Sequence, residues 1–268
     1  MITLGLVLLV IVLTATATVC LSAVFTLAIV ILVYANNRAH HRTLLERGWK
    51  VTPQTAPGLS RFVRRHRAKL QVKAVDLFVV PSRAWNAYTF GLVAPKSVVL
   101  NAPLLKALDG DELSFILGHE LGHVRLGHTW LNSLVGGMAG IPSPFAASAI
   151  LAMAFLWWNR ACEFSADRAG LLACGKPTKA ISALVKLAAG RRLRSRGELE
   201  RVIAMIEAED DRLINNLGEA LGTHPMTVKR IERLRRYAAS PQYRRLQALI
   251  DGNVTQQPKV HLDRPDTA

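Results

Sequence analysis

The stretch "FILGHELGHVRLGH", residues 115–128, sets three histidines and one glutamate in an otherwise apolar, helix-like run. Histidine and glutamate are poor choices for a packed core, because burying an ionisable group without a partner is costly. Either this is a metal site with a catalytic base, or it is a polar stripe on a surface helix. His119 and His123 are four apart. On a helix such residues share a face, roughly 5–6 Å apart at Cβ, so two imidazoles can grip one ion from the same side. Glu120 lies near that face and can reach a water at the metal without itself becoming a ligand. This is the H-E-x-x-H arrangement of two zinc ligands and a general base. Gly122, inside the motif, leaves room for another element to approach closely, at a cost to helix stability of about 1 kcal/mol.

A catalytic zinc needs a third protein ligand and an open fourth position. His128 is five after His123, which on a continued helix turns it about 140° away; it therefore does not close the site. Glu163, in "CEFSAD", sits on a separate predicted helix with Asp167 one turn later on the same face. Glu163 would bind zinc directly. Asp167 would accept a hydrogen bond from a ligand imidazole and fix its tautomer. On spacing alone, surface acids paired with Arg160 and Arg168 are an equal reading; the first half of the site, already present, favours the ligand.

The elements that must position these groups follow from the flanking pattern. "VKAVDLFVVP" reads as a strand ended by Pro81, followed by two short β-type runs, 87–93 and 97–100, broken by "APK". The motif helix launches from "LDGDEL", where Asp109 or Asp111 can cap it and Glu112 suits the first turn. Gly175 reads as the C-cap of the Glu163 helix, with Pro177 beyond it. Further helices are expected over "KAISALVKLAAG", from about 197 to 220, and over "THPMTVKRIERLRRYAA", with Thr223 placed to cap the last. Three cysteines, Cys20, Cys162 and Cys174, form no disulfide framework and read as buried reduced thiols.

Residues 2–34 contain no charge. A bilayer needs about 20 apolar residues as a helix, so residues 1–37 read as a retained transmembrane anchor. The start lacks the basic region of a cleaved signal peptide. Basic residues just after the anchor place the catalytic part in the cytoplasm. Residues 38–71 form a basic juxtamembrane helical segment, with "RFVRRHRAK" as a solvated face. A second uncharged block, 130–158, breaks at "GGMAGIPSP" and ends in Trp157 and Trp158 beside Arg160. His123 and Glu163 must meet on one side of the membrane, and two crossings need about 40 apolar residues, so the block is expected to be a short hairpin dipping partway into the bilayer, the preferred reading, or an apolar flap lying on the protein. The tail, 251–268, reads as disordered. The net charge of +15 favours an anionic inner leaflet. The basic runs carry few aromatics and no nucleic-acid motif, so no specific nucleic-acid partner is expected. An inactive scaffold is the other alternative, and nothing is missing from the catalytic set to favour it.

Four ordered blocks, "NAYTFG", "DELSFILGHELGHVRLGH", "CEFSADRAGL" and "THPMTVKRIERL", resemble the membrane metallopeptidases that include the HtpX-type stress proteases and the CAAX prenyl proteases. The similarity covers roughly Val72 to Tyr237. It implies an α+β, mainly helical zincin-like domain over residues 72–250, with a small β-sheet over the active-site helix. By this resemblance His119, His123 and Glu163 hold one Zn²⁺ per chain, Glu120 is the base and Asp167 supports a ligand. His224, in "THP", matches a position near the active site in those relatives, where it would stabilise the oxyanion; a helix-capping turn residue before Pro225 is an equal reading. An extended polypeptide substrate would pair with an edge strand, either Asn86, Ala87, Tyr88, Thr89, Phe90 and Gly91 or the run 97–100. That mode suits unfolded segments of damaged membrane proteins. The chain departs from these relatives in having fewer apolar segments, too few to build the large intramembrane chamber of the prenyl proteases.

Overall fold

Two strands, Trp49–Lys50 (β1) and Val75–Val80 (β2), flank the helix Pro57–Lys69 (α1). Ala87–Phe90 (β3), Lys96–Asn101 (β4) and the short helix Ala102–Ala107 (α2) follow. Five longer helices follow among the described residues: Gly110–Arg125 (α3), Ala149–Cys174 (α4), Pro177–Ala189 (α5), Pro225–Ala239 (α6) and Pro241–Thr255 (α7). This computed structural model describes residues 45–130, 149–189 and 225–255, scattered positions between 12 and 43, and Gly197. The result is a mainly helical α+β arrangement with one small sheet. His224, the centre of the second apolar block (131–148), most of the expected helix from 197 to 220 and residues 256–268 lie outside the described residues.

The sheet has the order β1–β2–β4–β3. β2 and β4 run parallel, from Val75 opposite Lys96 to Val80 opposite Asn101. β3 runs antiparallel to β4, from Ala87 opposite Leu100 to Phe90 opposite Ser97. The run expected to reach Val93 stops at Phe90, because Gly91 takes a φ of +123°, a conformation that glycine adopts without a Cβ clash. The topology also corrects the choice of edge. The run 97–100 lies in β4, paired on both sides, so its backbone groups are already used; among the described residues β3 is an edge strand.

α3 is the central helix. Asp109 caps it, accepting from the Asp111 and Glu112 amides at 3.0 and 2.9 Å, while Glu112 reaches back to the Asp109 amide at 2.9 Å. The Glu112 carboxylate also accepts from Ser182 and Lys186 of α5, each at 2.6 Å. One side chain thus closes a capping box and ties the helix start to its neighbour. Phe115, Ile116, Leu117 and Leu121 are buried in the core, together with Val98 and Leu100 of the sheet, Leu171 of α4 and Leu184 of α5. His119, Glu120 and His123 are buried as well, so they are no polar stripe on a surface helix. α1 joins the same core through Val63, with Arg61, Arg64 and Arg65 exposed.

α4 crosses α3 at close range. Phe115, Gly118 and Gly122 face Ala166, Ala169, Gly170 and Ala173 with almost no spare space. A Cβ on Gly118 would lie 2.3 Å from the Ala173 methyl and 3.0 Å from the Gly170 Cα. Alanine gains about 1 kcal/mol in helix propensity, but overpacking costs about 1–3 kcal/mol and would push α4, with Glu163, away from the histidine pair. Gly118→Ala is therefore expected to lower Tm and weaken metal binding, and Ala173→Gly in the same chain to restore part of both. A Gly118→Ala protein as stable as the parent would show that the two helices can separate freely. α4 ends as expected: Gly175 has φ +74° and donates to the Leu171 carbonyl at 2.7 Å, and Pro177 opens α5.

α4 begins inside the second apolar block and continues without a break through Glu163. Among the described residues no helix is long and apolar enough to cross a membrane; the uncharged run 2–34 lies mostly outside them. Its described positions are helical, with Val24, Phe25, Leu27, Ile31 and Leu32 exposed. All three cysteines are free thiols: Cys162 is buried and Cys174 half-buried, whereas Cys20 is exposed rather than buried.

Candidate active site

Three donor groups from two helices meet at one point. From α3, His119 and His123 bring their Nε2 atoms to 3.1 Å of each other. From α4, the Glu163 carboxylate lies 3.6 Å from His119 Nε2 and 3.5 Å from His123 Nε2. A tetrahedral ion with bonds of about 2.0–2.1 Å sets its ligand atoms about 3.4 Å apart, which these separations match. The outer nitrogens are already used. His119 Nδ1 donates to Asp167 at 2.9 Å, and His123 Nδ1 meets His128 Nδ1 at 3.0 Å. With its Nδ1 proton given to Asp167, His119 presents a bare Nε2 lone pair toward His123 Nε2, 3.1 Å away, and toward Glu163. Two imidazoles with a carboxylate around one point suit a borderline divalent metal.

Around this cluster the charges are arranged in pairs. Asp167 is fully enclosed, which alone would raise its pKa, but Arg230 beside it and the His119 hydrogen bond hold the carboxyl far below its usual range. Arg230 donates from Nε and NH2 to Asp167 at 2.8 and 2.6 Å, and its NH1 lies 2.9 Å from Glu163. Burial would lower the pKa of His119, but Asp167 and Glu163 outweigh it and raise the value. His123 is held neutral: burial first, then His119 and His128, push its pKa well down. A neutral imidazole is the form that binds metal.

Glu120 lies on the cleft side of α3. Burial raises its pKa, opposed by His119 and by the Thr89 hydroxyl, which suits a group that must take up and release a proton. Thr89 of β3 donates to the Glu120 carboxylate at 2.6 Å. The edge strand is thereby fixed against the motif. A cleft of about 250 Å³ opens here, lined by Asn86 and by Ala87, Tyr88 and Thr89 of β3, by the three donor residues and Glu120, and by Arg230. Phe90 and Gly91, the other end of the expected edge segment, do not line it; Phe90 stacks on His41 with ring centroids 3.8 Å apart.

The structure therefore brings together His119, Glu120, His123, Glu163 and Asp167, and places Thr89 with them. Glu163 and Asp167 pair with Arg230, not with Arg160 or Arg168; Arg168 lies over the Tyr237 ring. Three contributors take roles at the site not assigned to them from the sequence. Arg230 was hidden in a basic run, and its signal is the register of α6: Ile231 and Leu234 are buried beside it, so Arg230 starts the inward face. Thr89 was named only as one residue of an edge strand. His128 was judged on a continued helix, but α3 ends at Arg125 and Gly127 turns the chain with φ +78°. His128 thus comes back against His123, on the nitrogen facing away from Glu163.

Residues 53–238 match the description "Peptidase family M48". The plastoglobule-localized metallopeptidase 48 of Arabidopsis thaliana is 31% identical over 191 residues, covering 66% of this chain and 56% of that protein. The chain thus spans little more than half of that plant protein. Protease HtpX homologs of Gemmatimonas aurantiaca and Pyrococcus furiosus are each 27% identical, over 70% of this chain and 78% and 76% of their own lengths. With the H-E-x-x-H helix, the glutamate helix and the small sheet in one arrangement, the chain belongs to peptidase family M48 as an HtpX-like metallopeptidase.

Proposed function

We propose that this chain is a membrane-anchored zinc endopeptidase that cuts extended segments of unfolded or membrane polypeptides. The observation that carries the reading is the contact between an open edge strand and the H-E-x-x-H helix: Thr89 of β3 holds Glu120 at 2.6 Å, beside the His119–His123–Glu163 cluster. His119, His123 and Glu163 would hold zinc, which when bound supplies a Lewis acid and acidifies a water. Glu120 takes the proton of the attacking water and later delivers it to the leaving amine. The Thr89 hydroxyl occupies one carboxylate oxygen and orients the other. Asp167 and Arg230 keep His119 and Glu163 aimed at their common point. His224, outside the described residues, immediately precedes α6, the helix that carries Arg230 to the site; it is assigned to donate to the developing oxyanion. An extended substrate would pair backbone to backbone along Asn86–Thr89, which asks for an unfolded segment and little sequence.

The membrane part rests on the uncharged run 2–34, the net charge of +15 and the second apolar block. That block leaves the described residues next to exposed Leu126 and Trp130, and returns by exposed Trp157. Exposed tryptophans beside arginine suit a bilayer interface. Of the expected domain limits, the 1–37 anchor follows the same reading. The peptidase part, expected over 72–250, takes in residues 49–71 of the expected 38–71 basic segment, since β1 pairs with β2 and α1 packs into the core, and the expected 251–268 tail is helical up to Thr255.

The test is metal and activity together on the purified full chain in detergent. We expect about one zinc per chain, casein cleavage lost on chelation and restored by zinc, and neither zinc nor cleavage in His119→Ala. A zinc-loaded chain that leaves casein intact would end the endopeptidase reading.

A further inference from the structure

We propose that His128 is a positioning residue for the metal site: its Nδ1 accepts the proton of His123 Nδ1 and so holds the His123 Nε2 lone pair toward His119 and Glu163. This rests on the reading of His123 as a metal ligand. The two Nδ1 atoms lie 3.0 Å apart, with the rings edge to face at 75°. Only one of two neutral imidazoles can donate in such a contact, and the far side of His128 decides which. His128 Nε2 is 3.5 Å from Ser165 Oγ. The Ser165 hydroxyl has closer acceptors on its own helix, the Ala161 carbonyl at 2.9 Å and the Cys162 carbonyl at 3.0 Å, so accepting from His128 is the arrangement that keeps those shorter bonds. His128 therefore carries its proton on Nε2 and presents a bare Nδ1. His123 must donate from Nδ1, and its Nε2 is left free to bind.

The surroundings fix His128 in place. Gly127 reverses the chain just after α3, and Trp158 of α4 packs edge-on at 6.3 Å. The next residue, Thr129, is buried with its hydroxyl held by Lys96 at the start of β4. α4 thus serves the metal site twice: Glu163 reaches it directly, and Ser165 acts two residues on through His128. The two imidazole ligands are supported differently, His119 by a carboxylate and His123 by a neutral ring.

The experiment measures zinc affinity of the full chain by competition with a chromophoric chelator. His128→Phe fills the space but cannot accept; His128→Asn offers a carbonyl oxygen near the Nδ1 position. His128→Phe is expected to weaken zinc by about 10–100-fold, and His128→Asn to stay near the parent. Thermal unfolding of the zinc-free proteins should be alike. Independently, ring-¹⁵N NMR of the zinc-loaded parent, in which His123 Nε2 no longer has His119 Nε2 as a partner, should show His128 protonated on Nε2. The proposal is overturned if the parent binds zinc and His128→Phe binds it equally well, if His128→Asn falls as far as His128→Phe, or if His128 carries its proton on Nδ1. A parent that binds no zinc would instead remove the ligand reading beneath it.

Discussion

Glu120→Gln is expected to lower kcat/KM on casein by about 10²–10⁴-fold while the protein keeps its zinc and its fold. Glutamine has the size of glutamate, and its amide oxygen can still accept from Thr89 at the present 2.6 Å position. The donor cluster is His119, His123 and Glu163, so the metal loses no ligand. What is lost is the ability to take a proton. Burial raises the Glu120 pKa, which means that the charged form is held at a cost; a neutral amide removes that cost, so Tm should be unchanged or slightly higher. This combination separates a chemical role from a structural one. Cleavage near the parent rate would show that another group is the base. Loss of zinc would show that Glu120 holds the metal after all.

Much of this site could be read before any coordinates, because its parts obey local rules. The i, i+4 spacing of His119 and His123 fixes their common face whatever the fold, and a single turn likewise joins Glu163 to Asp167. Asp109 with Glu112 marks the helix start by a short-range pattern, and Gly175 marks a helix end. Glycine at 122 signalled a close crossing, which the structure shows against Ala166 and Ala169. The misses were of two kinds. Some came from extending an element too far: α3 stops at Arg125, so a helical wheel puts His128 on the wrong side, and β3 stops where Gly91 turns. Others are tertiary. The register of α6 sets Arg230 at the edge of its inward face, but what it pairs with depends on α6 lying across α4. Likewise, which β-run is the edge depends on strand order, and sequence periodicity does not encode that.

Arg230→Met should be the most damaging change outside the donor cluster. The guanidinium makes two hydrogen bonds to Asp167 and a 2.9 Å ion pair with Glu163. Asp167 is only 3% exposed at its side chain. Without Arg230 its remaining hydrogen bond among the described residues is the one to His119 Nδ1, and a buried carboxylate stripped of its cation costs about 3–5 kcal/mol. The expected result is a Tm lower by about 10 °C, together with weaker zinc binding, because Glu163 loses the group that aims its Oε2 at His119. Arg230→Lys keeps the charge but not the planar fork, so it should recover only part of either property. The double change Arg230→Met with Asp167→Asn removes the stranded charge and should be more stable than Arg230→Met alone, a coupling that independent sites would not show. Scanning calorimetry of the four proteins decides it. If Arg230→Met melts with the parent, or if Asp167→Asn gives it no relief, then the Asp167–Arg230 pair does not hold this site together.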